Sequence, residues 1–209
     1  MSGSRDAQKT QEMIISSAIN LFAKDGYDGV SVDHIAKNAS VNKAMIYYYF
    51  GNKAKLYETV IKKLLEDIHS SILKESEKCN NPIQELNSFI VTFAKFAKNN
   101  PYLPSLMLAE LSSGGKNLPE DMFAGLKKIF SLLNKILKKG EQEGFFEEVM
   151  PIVIHFMVIG TINLFITTKD LRKRVEPEFD GDICSDVDVE EIADYIYKKV
   201  VKMLKGGKI

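Results

Sequence analysis

The stretch from Ser31 to Lys53, SVDHIAKNASVNKAMIYYYFGNK, leaves this chain fewer choices than any other part of it. Val32, Ile35, Ala36 and Ala39 fall at i, i+3, i+4 and i+7 and so share one face of a helix, and Ser31 stands where an N-cap oxygen accepts the first free amides. A second helix must begin almost at once. Asn42 is placed to cap it, and Val41 before the cap with Ile46 inside the helix has the spacing of a hydrophobic staple. Ile46 and Phe50 then point inward, and the same period turns Lys43, Ala44, Tyr47 and Tyr48 outward. The pattern is that of two short helices joined by a tight turn, a helix-turn-helix. A preceding helix from about Thr10 to Lys24, with Ile14, Ala18, Leu21 and Phe22 as its stripe and Gly26 as its stop, braces the pair. Three short helices bury little surface, so the unit needs a larger body to rest on.

Helical periods continue through the rest of the chain. Leu56, Val60, Leu64 and Ile68 mark a helix opened by Asn52 and running to about Lys78, where Cys79-Asn80-Asn81-Pro82 breaks it. Ile83, Leu86, Ile90, Phe93 and Ala97 carry the next helix to Asn99. A short helix is expected from Pro104 to Leu111, then a loop, then a long amphipathic helix from Pro119 to Gly144 with Leu126, Ile129, Phe130, Leu133, Ile136 and Leu137 buried. Val149 to Thr168 has no Asp, Glu, Lys or Arg, which raises a membrane span. Pro151, His155, Gly160 and Asn163 within it favour a helix buried between its own domain and a partner subunit. Lys169 to Val187 reads as a mobile connection. Asp188 and Glu191 have capping-box spacing ahead of a last helix built on Ile192, Ile196, Val200 and Leu204. No strand alternation persists. The expectation is an all-α fold of about nine helices, with residues 1–53 as one domain and 54–209 as the other.

Charge says little at the level of the whole chain, where 28 basic and 28 acidic residues cancel. Through residue 63, however, nine Lys and Arg stand against six Asp and Glu, a modest local excess on the segment that carries the helix-turn-helix. Cys79 and Cys184 are far apart and lack metal-ligand spacing, as expected of unpaired thiols in a cytoplasmic protein. The opening MSGSRDAQK has no apolar core of a signal peptide. His34, His69 and His155 share no helical spacing, and there is no phosphate loop, nucleophile elbow or zinc motif. The sequence therefore points to no cofactor, no metal site and no enzyme.

Residues 10–60 resemble the DNA-binding domain of the TetR (tetracycline repressor) family of bacterial regulators. The likeness rests on Ala18, Leu21 and Phe22 in the first helix, the Gly26-Tyr27 exit, Ile35-Ala36, the run Ile46-Tyr47-x-x-Phe50, and Asn52-Lys53. The family's turn usually carries glycine where this chain has Ser40, and its recognition helix a small residue and then Thr or Ser where this chain has Ala44 and Met45. The resemblance implies a DNA interface in which Tyr47 and Lys53 touch the backbone. Chemistry adds Lys43 for a guanine edge or a phosphate, Ala44 and Met45 for a thymine methyl, and Tyr48 for phosphate. Ser31 and Asn42, at the helix starts, complete the set. The plainer alternative is that the tyrosines cover a small core and the lysines are solvated.

One recognition helix spans too few base pairs, so a homodimer on a palindromic double-stranded operator is expected. By resemblance the dimer pairs residues 149–168 and 189–204 of each subunit. The family's second domain holds a small-molecule pocket, which makes Phe89, Phe93, Met107, Phe130 and Phe156 candidates to line an apolar cavity and Glu110 a candidate to meet a cationic group; core packing and an exposed carboxylate are the alternatives. The implied function is a ligand-responsive transcriptional regulator, most often a repressor, released by a small hydrophobic effector.

Overall fold

The structure, a computed structural model, describes residues 2–116, 120–175 and 186–206. Among them there is no strand, and ten helices follow in order: α1 (Ser2–Gly29), α2 (Val32–Asn38), α3 (Lys43–Phe50), α4 (Lys53–Ser76), α5 (Pro82–Asn99), α6 (Tyr102–Ser112), α7 (Glu120–Gln142), α8 (Pro151–Thr167), α9 (Lys169–Val175) and α10 (Val189–Leu204). The all-α expectation holds.

Two boundaries differ from the sequence reading. The first helix starts at Ser2 rather than near Thr10, because the polar residues ahead of the apolar stripe still favour helix and tie themselves locally: Gln8 donates to Glu12 (3.1 Å) and the Thr10 hydroxyl to the Asp6 carbonyl (2.8 Å). Gly26, at φ 70°, breaks that helix where expected, and one further turn continues to Gly29. The start of the expected connection after Thr168 is helical as α9. Asp170 in its first turn and Arg172, Lys173 and Arg174 in its last complement the helix dipole, an arrangement that composition alone reads as a charged loop. Pro177, Gly181 and Cys184 lie outside the described residues.

The chain divides into two compact units. The first comprises Met1–Glu66 and Ser105–Gly125, the second Asp67–Pro104 and Leu126–Ile209. The boundary expected at residue 53 falls inside the first unit, which also takes residues 54–66 and 105–125.

In the first unit, Ile14, Ala18 and Phe22 of α1, Ile35 and Ala36 of α2, Ile46 of α3, and Leu56, Val60 and Ile61 of α4 are buried together with Leu106. In the second, α5 packs along α10. Leu86, Phe89, Ile90, Phe93 and Ala97 are buried on α5, and Ala193, Ile196, Val200 and Leu204 on α10. Lys98 holds their ends together through Asp188 (2.7 Å) and Glu190 (3.2 Å), and the Glu147 amide donates to the Leu204 carbonyl (2.7 Å). On α7, Ile129, Leu133, Ile136 and Leu137 are buried as their spacing predicts.

Helix α8 carries a π-helical turn, Phe156–Gly160. Its Ile154, Val158 and Ile162 are buried, while Ile152, Val153, Phe156, Met157 and Leu164 are exposed. Among the described residues no single helix is long and apolar enough to cross a membrane; α8 and α9 pass such a test only as a pair bent by 64°.

Candidate nucleic-acid interface

The interface is built on three caps. Ser31, in extended conformation, accepts the His34 amide through its hydroxyl oxygen at 3.1 Å and starts α2. Asn42 accepts the Ala44 amide at 2.8 Å and starts α3. Asn52 accepts the Lys55 amide at 2.9 Å and starts α4. Each satisfies a donor that the helix cannot satisfy internally.

The turn between α2 and α3 is a Schellman closure. The Val41 amide reaches back to the Ala36 carbonyl (3.0 Å) and the Ser40 amide to the Lys37 carbonyl (3.2 Å). Closing those two bonds puts Ser40 at φ 54°, in the left-handed region, and it is the one non-glycine residue with positive φ among the described residues. This explains why glycine is the commoner choice at this position. The Ser17 hydroxyl, buried on α1, lies 2.9 Å from Asn38 Oδ1 and 3.2 Å from the Ile35 carbonyl, and its single proton ties α1 to the end of α2 through one acceptor at a time.

With the turn fixed, α3 is anchored by one side chain. Ile46 is completely buried, Met45, Tyr49 and Phe50 are half-buried, and Lys43, Ala44, Tyr47 and Tyr48 are exposed. Tyr48 keeps 80 % of its surface accessible and Tyr47 46 %, so neither covers the core. Their hydroxyls are free to meet an acceptor outside the protein. Lys43 Nζ donates to Asp33 Oδ2 at 2.6 Å and lies 5.9 Å from the Tyr47 ring centre. The hydrogen bond to Asp33, more than its charge, holds the Lys43 ammonium above its ordinary pKa.

Gly51, at φ 79°, turns the chain into α4, where Lys53 Nζ rests 4.2 Å from the Tyr27 ring centre. Tyr27 packs edge-on against Tyr57 and Tyr57 against Phe22, both at 4.8 Å. The buried Tyr57 hydroxyl donates a short hydrogen bond to Glu110 Oε1, and Ser113 Oγ lies 3.4 Å from Glu110 Oε2. Burial first, and then the bond to Glu110, push the Tyr57 phenol far above its usual range.

The six residues expected to line a ligand pocket divide between the two units. Met107 and Glu110 belong to the first unit, and Phe89, Phe93, Phe130 and Phe156 to the second. Glu110 is not an exposed carboxylate: it is 4 % accessible and bonded to Tyr57. Phe89 and Phe93 are core residues, Met107 and Phe130 are half-buried, and Phe156 is 64 % exposed. The Phe130 ring lies 5.1 Å from that of His155, whose Nδ1 is buried without a hydrogen-bond partner. The described cavities have other linings. The second unit carries one of about 730 Å³ along Ser71, Lys74, Asn87 and Lys95 and one of about 310 Å³ beside Lys98, Phe165 and Arg172.

Two residues of the interface were not legible in the sequence. Asp33 pairs with Lys43 only because α2 and α3 cross, and Tyr27 underlies Lys53 only because the end of α1 meets the start of α4. Spacing along the chain signals neither.

Comparisons with known proteins place the same segment in a known family. Residues 14–60 match the family described as bacterial regulatory proteins, tetR family, and residues 57–175 match the YsiA-like protein, C-terminal region. The biofilm operon icaADBC HTH-type negative transcriptional regulator IcaR of Staphylococcus aureus is 33 % identical over 138 residues, covering 66 % of this chain and 70 % of IcaR. Among solved structures, the transcriptional regulator FadR from Bacillus subtilis in complex with stearoyl-CoA superposes with a TM-score of 0.74 at 22 % identity, covering 91 % of this chain and 97 % of FadR. AibR in complex with isovaleryl coenzyme A and operator DNA gives a TM-score of 0.66 at 20 % identity, covering 93 % and 97 %.

Proposed function

The chain belongs to the tetR family of bacterial regulatory proteins, and from that premise we propose that it is a DNA-binding repressor that grips a palindromic operator as a homodimer and lets go when a small hydrophobic ligand binds. One observation carries the reading: α3 is capped by Asn42, anchored by the fully buried Ile46, and presents Lys43, Ala44, Tyr47 and Tyr48 to solvent. A short helix with one buried side chain and a cationic, phenolic outer face is built to enter a major groove. Lys43 and Ala44 reach base edges, Met45 reaches a thymine methyl from the flank, and Tyr47, Tyr48 and Lys53 contact phosphates. Ser31 and Asn42 add helix-terminal amides directed at the backbone.

Dimerisation doubles the site. Two copies place their recognition helices about one DNA turn, roughly 34 Å, apart, and an operator with matching half-sites results. The exposed apolar residues of α8 and α10, Phe156, Met157, Leu164, Tyr195 and Met203 among them, support pairing through residues 149–168 and 189–204. Repression is supported by the name of IcaR, and a hydrophobic effector by the acyl-CoA molecules bound to FadR and AibR. Phe89, Phe93 and Phe130 are the candidates to line the effector's pocket in the second unit. A hundredfold loss of operator affinity on ligand binding needs a coupling of only about 2.7 kcal/mol.

The experiment is selection of a binding sequence from a random duplex pool, followed by titration of that duplex with and without stearoyl-CoA. A recovered palindrome, released by the thioester, supports the whole reading. Recovery of no sequence overturns it, and a palindrome insensitive to acyl thioesters overturns the effector class alone.

A further inference from the structure

We propose that Asp33 is a specificity-determining residue of the DNA interface: its carboxylate holds the Lys43 ammonium so that this cation reads a base edge instead of seizing any phosphate within reach. The proposal rests on the DNA-binding function proposed for the chain and deepens it.

Lys43 opens the recognition helix, the position from which a side chain first reaches the groove floor. A lysine has four rotatable bonds and a compact charge, so an unrestrained one behaves as a point charge that any phosphate satisfies. Here it is restrained. Asp33 Oδ2 accepts from Nζ at 2.6 Å on one side and the Tyr47 ring stands 5.9 Å away on another. Neither partner is in the core, since the Lys43 and Asp33 side chains are 44 % and 68 % accessible, so the pair is on the surface that DNA would cover. Asp33 is itself held in place, in the first turn of α2, where the helix dipole favours a carboxylate.

Counting donors and charges gives the consequence for recognition. An ammonium carries three N–H donors. Asp33 takes one, and two remain, the number that guanine's N7 and O6 acceptors can use. The net charge of the pair is zero, so its attraction for a phosphate is largely cancelled while its directed donors are kept. Phosphate contacts supply affinity on every sequence, and base-edge contacts supply the difference between sequences. With only a small excess of positive charge over the first 63 residues, neutralising one interface lysine lowers binding to unrelated DNA appreciably. Asp33 therefore trades general affinity for discrimination.

The test compares wild type, Asp33→Asn and Asp33→Glu, each also in a Lys43→Met background, on two duplexes: the one selected by the wild type and a scrambled duplex of equal composition, across a series of salt concentrations. For Asp33→Asn the expected result is several-fold tighter binding to the scrambled duplex and a log–log salt slope steeper by about 0.9 per subunit, as one freed lysine adds one phosphate contact. The ratio of selected to scrambled affinity falls roughly tenfold, the worth of one directed base contact. Asp33→Glu keeps the wild-type ratio. In the Lys43→Met background, Asp33→Asn changes neither slope nor ratio. A wild-type slope and ratio in Asp33→Asn overturn the proposal, and so does an effect of equal size without Lys43, because Asp33 would then be repelling DNA on its own account. A wild type that selects no duplex from the random pool overturns the DNA-binding reading and this inference with it, an outcome distinct from binding that is merely insensitive to Asp33.

Discussion

The Lys53 ammonium lies 4.2 Å from the centre of the Tyr27 ring, so the lysine expected to meet a phosphate is seated on an aromatic face before DNA arrives. The two residues contribute separable terms. Lys53→Ala removes a phosphate contact and lowers the log–log salt slope of operator binding by about 0.9 per subunit. Tyr27→Leu keeps the charge and loses the seat, so affinity drops about two- to fivefold per subunit, the exposed cation–π range, with the slope unchanged. Fluorescence anisotropy over a salt series separates the two.

Ser40 occupies a left-handed conformation that costs a residue with a Cβ roughly 1–2 kcal/mol, against about 0.5–1 kcal/mol of extra chain entropy lost by glycine. Ser40→Gly therefore stabilises the chain by up to about 1.5 kcal/mol, and the melting temperature rises by roughly 2–4 °C for each kcal/mol gained. A fall in melting temperature would show that the serine side chain contributes more than its backbone costs.

The Tyr57 hydroxyl is the donor to a buried carboxylate, so Tyr57→Phe leaves Glu110 short of a partner and costs about 1–3 kcal/mol. The pH dependence has a definite sign. The folded-state pKa is raised, so the unfolded chain releases this proton first, near pH 10, and stability that is complete below pH 10 declines as pH rises beyond it. The slope reaches at most about 1.4 kcal/mol per pH unit. Urea titrations between about pH 9 and pH 11 should show the decline in the wild type and a shallower one in Tyr57→Phe.

His155 behaves in the opposite direction. Burial lowers its pKa, so the unfolded chain takes up a proton below about pH 6.5 that the folded chain refuses. Stability is complete above that pH and falls as the pH drops toward the depressed folded value. His155→Gln removes the proton site, and its stability profile between about pH 5 and pH 7 should be flatter than that of the wild type, provided the other titrations are shared.

Gly140 lies in α7 where an added Cβ would meet Phe146 Cδ2 at 1.9 Å. Alanine is the better helix former by up to about 1 kcal/mol, yet the clash is with a buried ring, and overpacking of this kind costs about 1–3 kcal/mol. Gly140→Ala is expected to destabilise, and Phe146→Leu in the same chain to recover part of the loss, as thermal denaturation of the two variants will show.

Local rules governed which features were legible in the sequence. Ser31, Asn42 and Asp188 are caps because of the residues one to three places after them, and the stripes of α4, α5, α7 and α10 repeat often enough to identify their buried faces. The outward set on α3 comes from two inward residues, Ile46 and Phe50, and the helical period. Features that depend on contacts between elements stayed hidden. Glu110 looks like a surface carboxylate until α4 brings Tyr57 to it. The pairing of Asp33 with Lys43 needs the crossing of two helices. Phe89, Phe93 and Phe156 share a chemistry but not an environment, because hydrophobicity marks a residue as buried or as awaiting a partner without saying which. The first turns of α1 and the whole of α9 were missed for the reverse reason: short polar helices lack a stripe.

On α8 and α10, and at Met150 just ahead of α8, the side chains of Met150, Ile152, Val153, Phe156, Met157, Leu164, Tyr195 and Met203 remain turned toward solvent. Under the proposed pairing, that oily flank makes abundance itself an input. Dilution would expose it, weaken the fold and dismantle the two-handed grip in a single step, so the melting temperature should climb with protein concentration. The chain would then gauge its own supply before it ever meets an effector.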